Sequence, residues 1–173
     1  MKIAGYLMIS ILGLSAMACN GGGKQEQVED VQVADNPDTQ ANEQNDHRTQ
    51  TRQRQYFLQG EKLYKSYCTA CHGAEGKGLG TLYPPLKDSD FLDGNESTIA
   101  CGIKYGMTGP LTVNGKEYNQ PMVGLTQLTN LQIAEIMTYV YASMGTNEDA
   151  FVEVKEVDEY LKNCDSMVQF GNE

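Results

Sequence analysis

The sequence predicts an all-α fold, one small domain of a few helices with a single short β-hairpin. Three observations carry that expectation. Apolar residues recur at helical spacing just before a compact cysteine–histidine cluster. A second apolar stripe with a capping signal lies near residues 129–145. Between them, Asn114-Gly115 sits among β-prone residues and marks a tight hairpin. The 173 residues suffice for one domain.

In chain order, Lys2 precedes an apolar or small stretch over residues 3–18 that reads as an export signal. At 16 residues it is shorter than the roughly 20 that a transmembrane helix needs. Residues 1–18 are therefore expected to be a signal peptide. Ala16-Met17-Ala18-Cys19 resembles a lipobox, with Ala16 where that pattern commonly has Leu. Cys19 is the expected acylation site, and more than one acyl chain gives stable anchoring. Residues 20–55 have no aromatic side chain and are rich in Gln, Asn, Asp, Glu and Thr. Such a composition buries too little apolar surface to offset ordering entropy, so residues 19–55 are expected to be a flexible tether reaching roughly 30–35 Å.

The folded part begins with a predicted helix over residues 55–67. Phe57, Gly60, Leu63, Tyr64 and Tyr67 share its broad apolar face. A mid-helix glycine costs about 1 kcal/mol against alanine, so Gly60 implies a close crossing by another helix. A shorter helix is expected from Ser97 to Gly106. The hairpin follows over residues 111–118. The clearest helix then starts at a capping box, Thr129 with Gln132. It presents Ile133, Ile136, Met137 and Val140 on one stripe, and Gly145 ends it. The tail, residues 147–173, has a helical pattern in Val154, Val157, Leu161 and Cys164, and is expected to pack on the domain.

Net charge is −10, which excludes the basic footprint of a nucleic-acid-binding protein. From Tyr56 onward there are 16 acidic residues against 8 Lys and no Arg. An acidic body favours encounter with a basic patch on a protein partner.

Cys68-Thr69-Ala70-Cys71-His72 is C-x-x-C-H, the spacing for covalent attachment of a c-type haem. Each thiol adds across one porphyrin vinyl group, so both sulfurs must lie on one side. The adjacent histidine then offers an imidazole to iron. Two other readings share part of this pattern. A thioredoxin-like motif would open a helix within a βαβ unit, and no such pattern surrounds it. Half of a zinc site would need a second ligand pair, and none recurs. His47 and His72 are the only histidines, which excludes a multi-histidine metal site.

The runs Gly60-Glu61-Lys62-Leu63-Tyr64, Cys68-x-x-Cys71-His72-Gly73, Gly76-Lys77-Gly78 and Pro84-Pro85-Leu86 resemble small bacterial class I (monohaem) cytochromes c. So do residues 115–122 and 133–140. The resemblance extends to cytochrome modules that accompany periplasmic dehydrogenases, copper nitrite reductases and terminal oxidases. It covers about residues 56–145, and the domain is taken as 56–146. It implies helices wrapped around one covalent haem c, a single-electron carrier with no catalytic residues, and redox proteins as partners. It also implies a methionine as the second iron ligand, from the loop before the last helix. Of the five methionines after the motif, Met107, Met122, Met137, Met144 and Met167, Met122 stands where the family places its ligand. Pro121 stiffens its approach, and Met107 is the rival. The Pro84 carbonyl is implied as acceptor for the second ring nitrogen of His72, with Leu86 packing on the haem. Two alternatives stay open: an open-iron haem protein that binds a ligand or acts as a peroxidase, and a permanent cytochrome subunit of a larger dehydrogenase or reductase.

Cys101 and Cys164 remain. In an exported protein they suggest a disulfide, stabilising by about 3–4 kcal/mol in the chain-entropy model. Two unrelated buried thiols are the other possibility. The export signal and Cys19 together predict a membrane-anchored protein facing the periplasm or the cell surface.

Overall fold

The computed structural model describes residues 37–164 and 168–169. The expected export signal over residues 1–18, the expected acylation site Cys19, and Met167 lie outside the described residues. Five α-helices and five short strands follow one another: α1 (Pro37–Tyr67), α2 (Thr69–His72), α3 (Glu96–Tyr105), β1 (Gly106–Thr108), β2 (Leu111–Val113), β3 (Lys116–Tyr118), β4 (Met122–Val123), α4 (Asn130–Met144), α5 (Val154–Leu161) and β5 (Val168–Gln169).

The packing of α1 across α4 organises the domain. Gly60 has no side chain because the Glu135 carbonyl oxygen would lie 1.9 Å from a Cβ there. Around that contact Phe57 and Tyr64 meet Tyr139, with ring centroids 5.2 and 5.4 Å apart. Tyr64, Ile133, Ile136, Met137 and Val140 are buried, so the stripe read from the sequence is the core face of α4. Thr129 and Gln132 form the reciprocal capping box. Gly145 does close α4, but with φ −82° rather than in the left-handed region. Its reason is space: a Cβ would approach the Tyr141 carbonyl oxygen to 2.7 Å.

The start of α1 differs from the expectation. Helix replaces the predicted tether from Pro37 onward. The composition argument concerned burial, and an exposed helix needs little of it once a neighbouring segment has nucleated it. Gln50 donates to Asp46 at 2.7 Å, one turn earlier. Nearer the body, Arg52 pairs with Glu153 and lies 5.4 Å from the centroid of Phe151. Tyr56 meets the same ring edge-on, and Gln53 donates to the Asp149 carbonyl at 2.8 Å.

The hairpin of β2 and β3 pairs Leu111 with Tyr118 and Val113 with Lys116. Asn114 and Gly115 both have positive φ, 51° and 73°, as a type I′ turn requires. Val113 and Tyr118 face inward and are buried. Asn114 also exchanges hydrogen bonds with Asp90, tying the hairpin to a 3-10 turn at Asp90–Leu92. A second sheet was not anticipated: β1 lies between β4 (antiparallel) and β5 (parallel). In the C-terminal part, α5 packs against α3 and α4 with Val157 fully buried. The buried Thr138 hydroxyl accepts from Val152 N–H at 3.0 Å.

Gly60→Ala should cost about 3 kcal/mol, because the α1–α4 contact leaves no room for a methyl group. Denaturant titration of the haem-loaded protein against wild type measures this loss.

Candidate functional site

The cysteine–histidine cluster forms where α1 ends. The Cys68 and His72 amides donate to the Tyr64 and Cys68 carbonyls, each at 2.9 Å. The motif therefore continues as one more helical turn, α2, separated from α1 by a single residue. That turn brings Cys68, Cys71 and His72 to the wall of one cavity. Neither cysteine is in a disulfide. Burial, then the neighbouring Cys71, pushes the Cys68 thiol up to about 11, so it stays protonated at neutral pH.

The loop after α2 is shaped by glycine. Gly76 and Gly78 have φ of 69° and 70°, a region that costs other residues about 1–2 kcal/mol. The Gly76 carbonyl accepts from the Leu86 and Lys87 amides at 2.7 and 2.9 Å. A Cβ on Gly78 would lie 2.8 Å from the Pro84 carbonyl oxygen. The chain thus folds back so that Pro84 reaches His72, whose Nδ1–H donates to the Pro84 carbonyl at 3.0 Å. A carbonyl only accepts, so the bond fixes the proton on Nδ1 and leaves Nε2 with its lone pair. Burial lowers the imidazole pKa, and the Pro84 bond pulls it partly back. The neutral form this favours is the one that binds metal. Tyr64 braces the same turn, donating to the Gly73 carbonyl at 2.6 Å.

The cavity has a volume of about 300 Å³, and its lining is mainly apolar. Pro84 and Leu86 line it beside His72, with Ile99 and Ile103 of α3 and Ile136 and Val140 of α4. Val113 and Tyr118 enter from the hairpin. Sequence reasoning had not placed these two in the site, although the alternation of the hairpin around Asn114-Gly115 carried the signal. Both rival methionines line the cavity as well. They are cross-strand partners, Met107 opposite Met122 in the β1–β4 pair, and such partners project from the same face of a sheet. Met107 is also packed against α3: a Cβ on Gly102 would lie 2.9 Å from its sulfur. Met137 and Met144 are core residues, and His47 is exposed on α1. A wider surface cleft of about 460 Å³ between α1 and the 148–150 segment has no thiol or histidine in its lining.

This donor set fits a c-type haem. Two thiols one helical turn apart, an oriented neutral imidazole, an apolar cavity and nearby thioethers are what such a group needs from a protein. The Tyr141 hydroxyl is consistent with a polar edge to the guest. It is buried without a hydrogen-bond partner among the described residues, on a side chain that lines the cavity.

The cytochrome c family model matches residues 57–143. The chain belongs to the cytochrome c family. It is 29% identical over 90 residues to cytochrome c-552 of Thermus thermophilus, covering 50% of this chain and 68% of that protein. It is 31% identical over 110 residues to the cbb3-type cytochrome c oxidase subunit CcoP of Rhodobacter capsulatus, covering 62% of this chain and 37% of that subunit. It is 32% identical over 104 residues to the fructose dehydrogenase cytochrome subunit of Gluconobacter japonicus, covering 57% of this chain and 21% of the subunit. As a member of the family it holds one covalent haem c and transfers electrons through it. The iron supplies a one-electron couple, while the protein holds, orients and encloses it. Among the described residues no helix is long and apolar enough to cross a membrane.

Gly78→Ala should both strain its own φ and push against the Pro84 carbonyl. We expect a stability loss of about 1–3 kcal/mol together with a shifted midpoint potential, since His72 loses its fixed orientation. Gly80→Ala is the control: φ is 59° there, but nothing lies within 4 Å. It should lower stability and leave the potential unchanged, which redox titration of both variants checks.

Proposed function

We propose that this cytochrome is a class I monohaem electron carrier in which His72 and Met122 bind the two faces of the iron. The observation that supports this best is the His72–Pro84 bond, which presents Nε2 to a cavity that Met122 also lines. Met122 is preferred to Met107 because Met107 is packed against Gly102. A thioether favours reduced iron and so sets the potential above that of a bis-imidazole centre. With His72 and Met122 both committed to the iron, the chain would offer no open site for substrate chemistry and would not itself be an enzyme.

Redox proteins outside the cytoplasm are the proposed partners. The names of two relatives, an oxidase subunit and a dehydrogenase cytochrome subunit, support that class. They also favour a second reading, in which the chain is held permanently on a larger oxidoreductase. Gentle purification separates the two: a carrier elutes alone, and a subunit elutes with its enzyme. We further propose export by residues 1–18, acylation at Cys19 and attachment to a membrane facing the periplasm or cell surface. The proposed Cys101–Cys164 disulfide suits that compartment; the structure brings the two residues together, with Cα atoms 5.8 Å apart.

Met122→Ala should abolish the weak long-wavelength band that a thioether–ferric iron bond gives and should lower the midpoint potential. Met107→Ala should keep both. The reverse pattern in oxidised absorption spectra makes Met107 the ligand.

Cys19→Ser should move the haem protein from the membrane fraction to the soluble fraction, as diacyl anchoring is lost. Haem staining of fractionated cells reads the outcome, and retention in the membrane fraction rules the lipid anchor out.

A further inference from the structure

The three-stranded sheet joins parts of the chain that lie far apart in sequence. Its middle strand, β1, pairs Met107 with Met122 of β4 on one side and with Val168 of β5 on the other. We propose that β5, held in place by Cys101–Cys164, is a positioning element that keeps the Met122 strand against the haem cavity. The proposal rests on Met122 being the iron ligand.

The first argument is the size of the pairing. β4 has two residues and pairs only with β1, which has three. A two-stranded ribbon that short is marginal in water, and a third strand is what gives a sheet independent stability. Without β5, the outer edge of β1 would face water with unpaired amides and carbonyls.

The second argument is where the cysteines sit. Cys101 lies on α3, which runs directly into β1, and Cys164 follows α5 and precedes β5. Met107 is six residues beyond Cys101, and Val168 is four beyond Cys164. The link therefore ties the approaches to the two strands that pair in parallel. It is not required to dock α5, which has its own attachments. Val157 is fully buried, Val152 bonds with Thr138, and Asn130 donates to Asp158 at 2.7 Å. What the link adds is restraint at Cys164, four residues before β5.

The third argument is the route to Met122. The segment leaving β4 returns onto the end of α3: Leu125 N–H donates to the Ile103 carbonyl at 2.9 Å. A Cβ on Gly124 would meet the Tyr105 carbonyl carbon at 2.4 Å. The end of α3 and the edge of β1 thus hold the Met122 strand continuously along one side, and movement in either is passed to it.

The test uses the full chain matured with haem, a chain ended after Cys164, and the pair Cys101→Ser with Cys164→Ser. Val157→Ala serves as a variant destabilised elsewhere. The readouts are the long-wavelength band of the oxidised protein and the rate of carbon monoxide binding to the reduced protein. Both the shortened chain and the double serine variant should lose most of the band and bind carbon monoxide about ten-fold faster or more, the size of effect seen when outer-shell supports of a metal ligand are removed. Val157→Ala should melt earlier with the band intact. A shortened chain that keeps its band and its resistance to carbon monoxide overturns the proposal. So does a band that weakens in step with melting temperature in every variant, since that is the signature of general stability. Met122→Ala distinguishes the layers: if the band survives it, the ligand assignment fails and takes the proposal with it.

Discussion

The backbone contact between α1 and α4 at Gly60 constrains nearly everything else in the domain. With the Glu135 carbonyl where a side chain would begin, the helices meet at glycine distance and Tyr139 can lie against both Phe57 and Tyr64. Tyr64 is then placed to hold the Gly73 carbonyl, so the packing of two helices sets the exit of the cysteine–histidine turn. From there the loop of left-handed glycines returns Pro84 to His72. One interhelix contact is therefore linked, through a phenol and two carbonyls, to the tautomer of the His72 imidazole. A larger residue at position 60 acts on the site from a distance, by moving the helix that the site terminates.

The electrostatics of the site follow from burial. His72 sits where charge is disfavoured, and its bond to Pro84 offsets only part of that cost. A neutral imidazole with its proton committed to Nδ1 is the outcome. Before haem attachment, burial likewise pushes the Cys68 thiol up. Among the described residues no acidic or basic side chain is buried, so the electron carrier has an apolar interior.

Much of this was legible in the sequence, and where it was not the cause is physical. The cap at Thr129, the apolar stripe of α4 and the Asn114-Gly115 turn are local signals. Each is carried by residues a few positions apart, and each appears in the structure. The sheet of β4, β1 and β5 has no such signal. Strands of two and three residues show no periodicity, and their partners lie some sixty positions apart in the case of Met107 and Val168. Gly102 was unreadable for the same reason, since its role is to admit the Met107 side chain from the next element. The helical stretch before Gln55 was misread because composition reports on core formation. It says little about an exposed helix that grows from one already nucleated and is clasped by Glu153 and Phe151.

That last difference changes how the domain meets its surroundings. A coil ending at residue 55 would leave the haem cavity free to face any direction. Instead α1 runs unbroken from Pro37 to Tyr67, about 45 Å at the rise of an α-helix, and its far end adjoins the cysteine–histidine turn. Beyond Pro37, orientation is carried by a rod clasped to the body at Arg52, Gln53 and Tyr56. The acidic Glu153 that holds Arg52 belongs to the segment leading into α5. Attachment of the C-terminal part and alignment of the stalk are thus one interaction, and a partner that disturbed the 149–153 segment would loosen the direction in which the haem is presented.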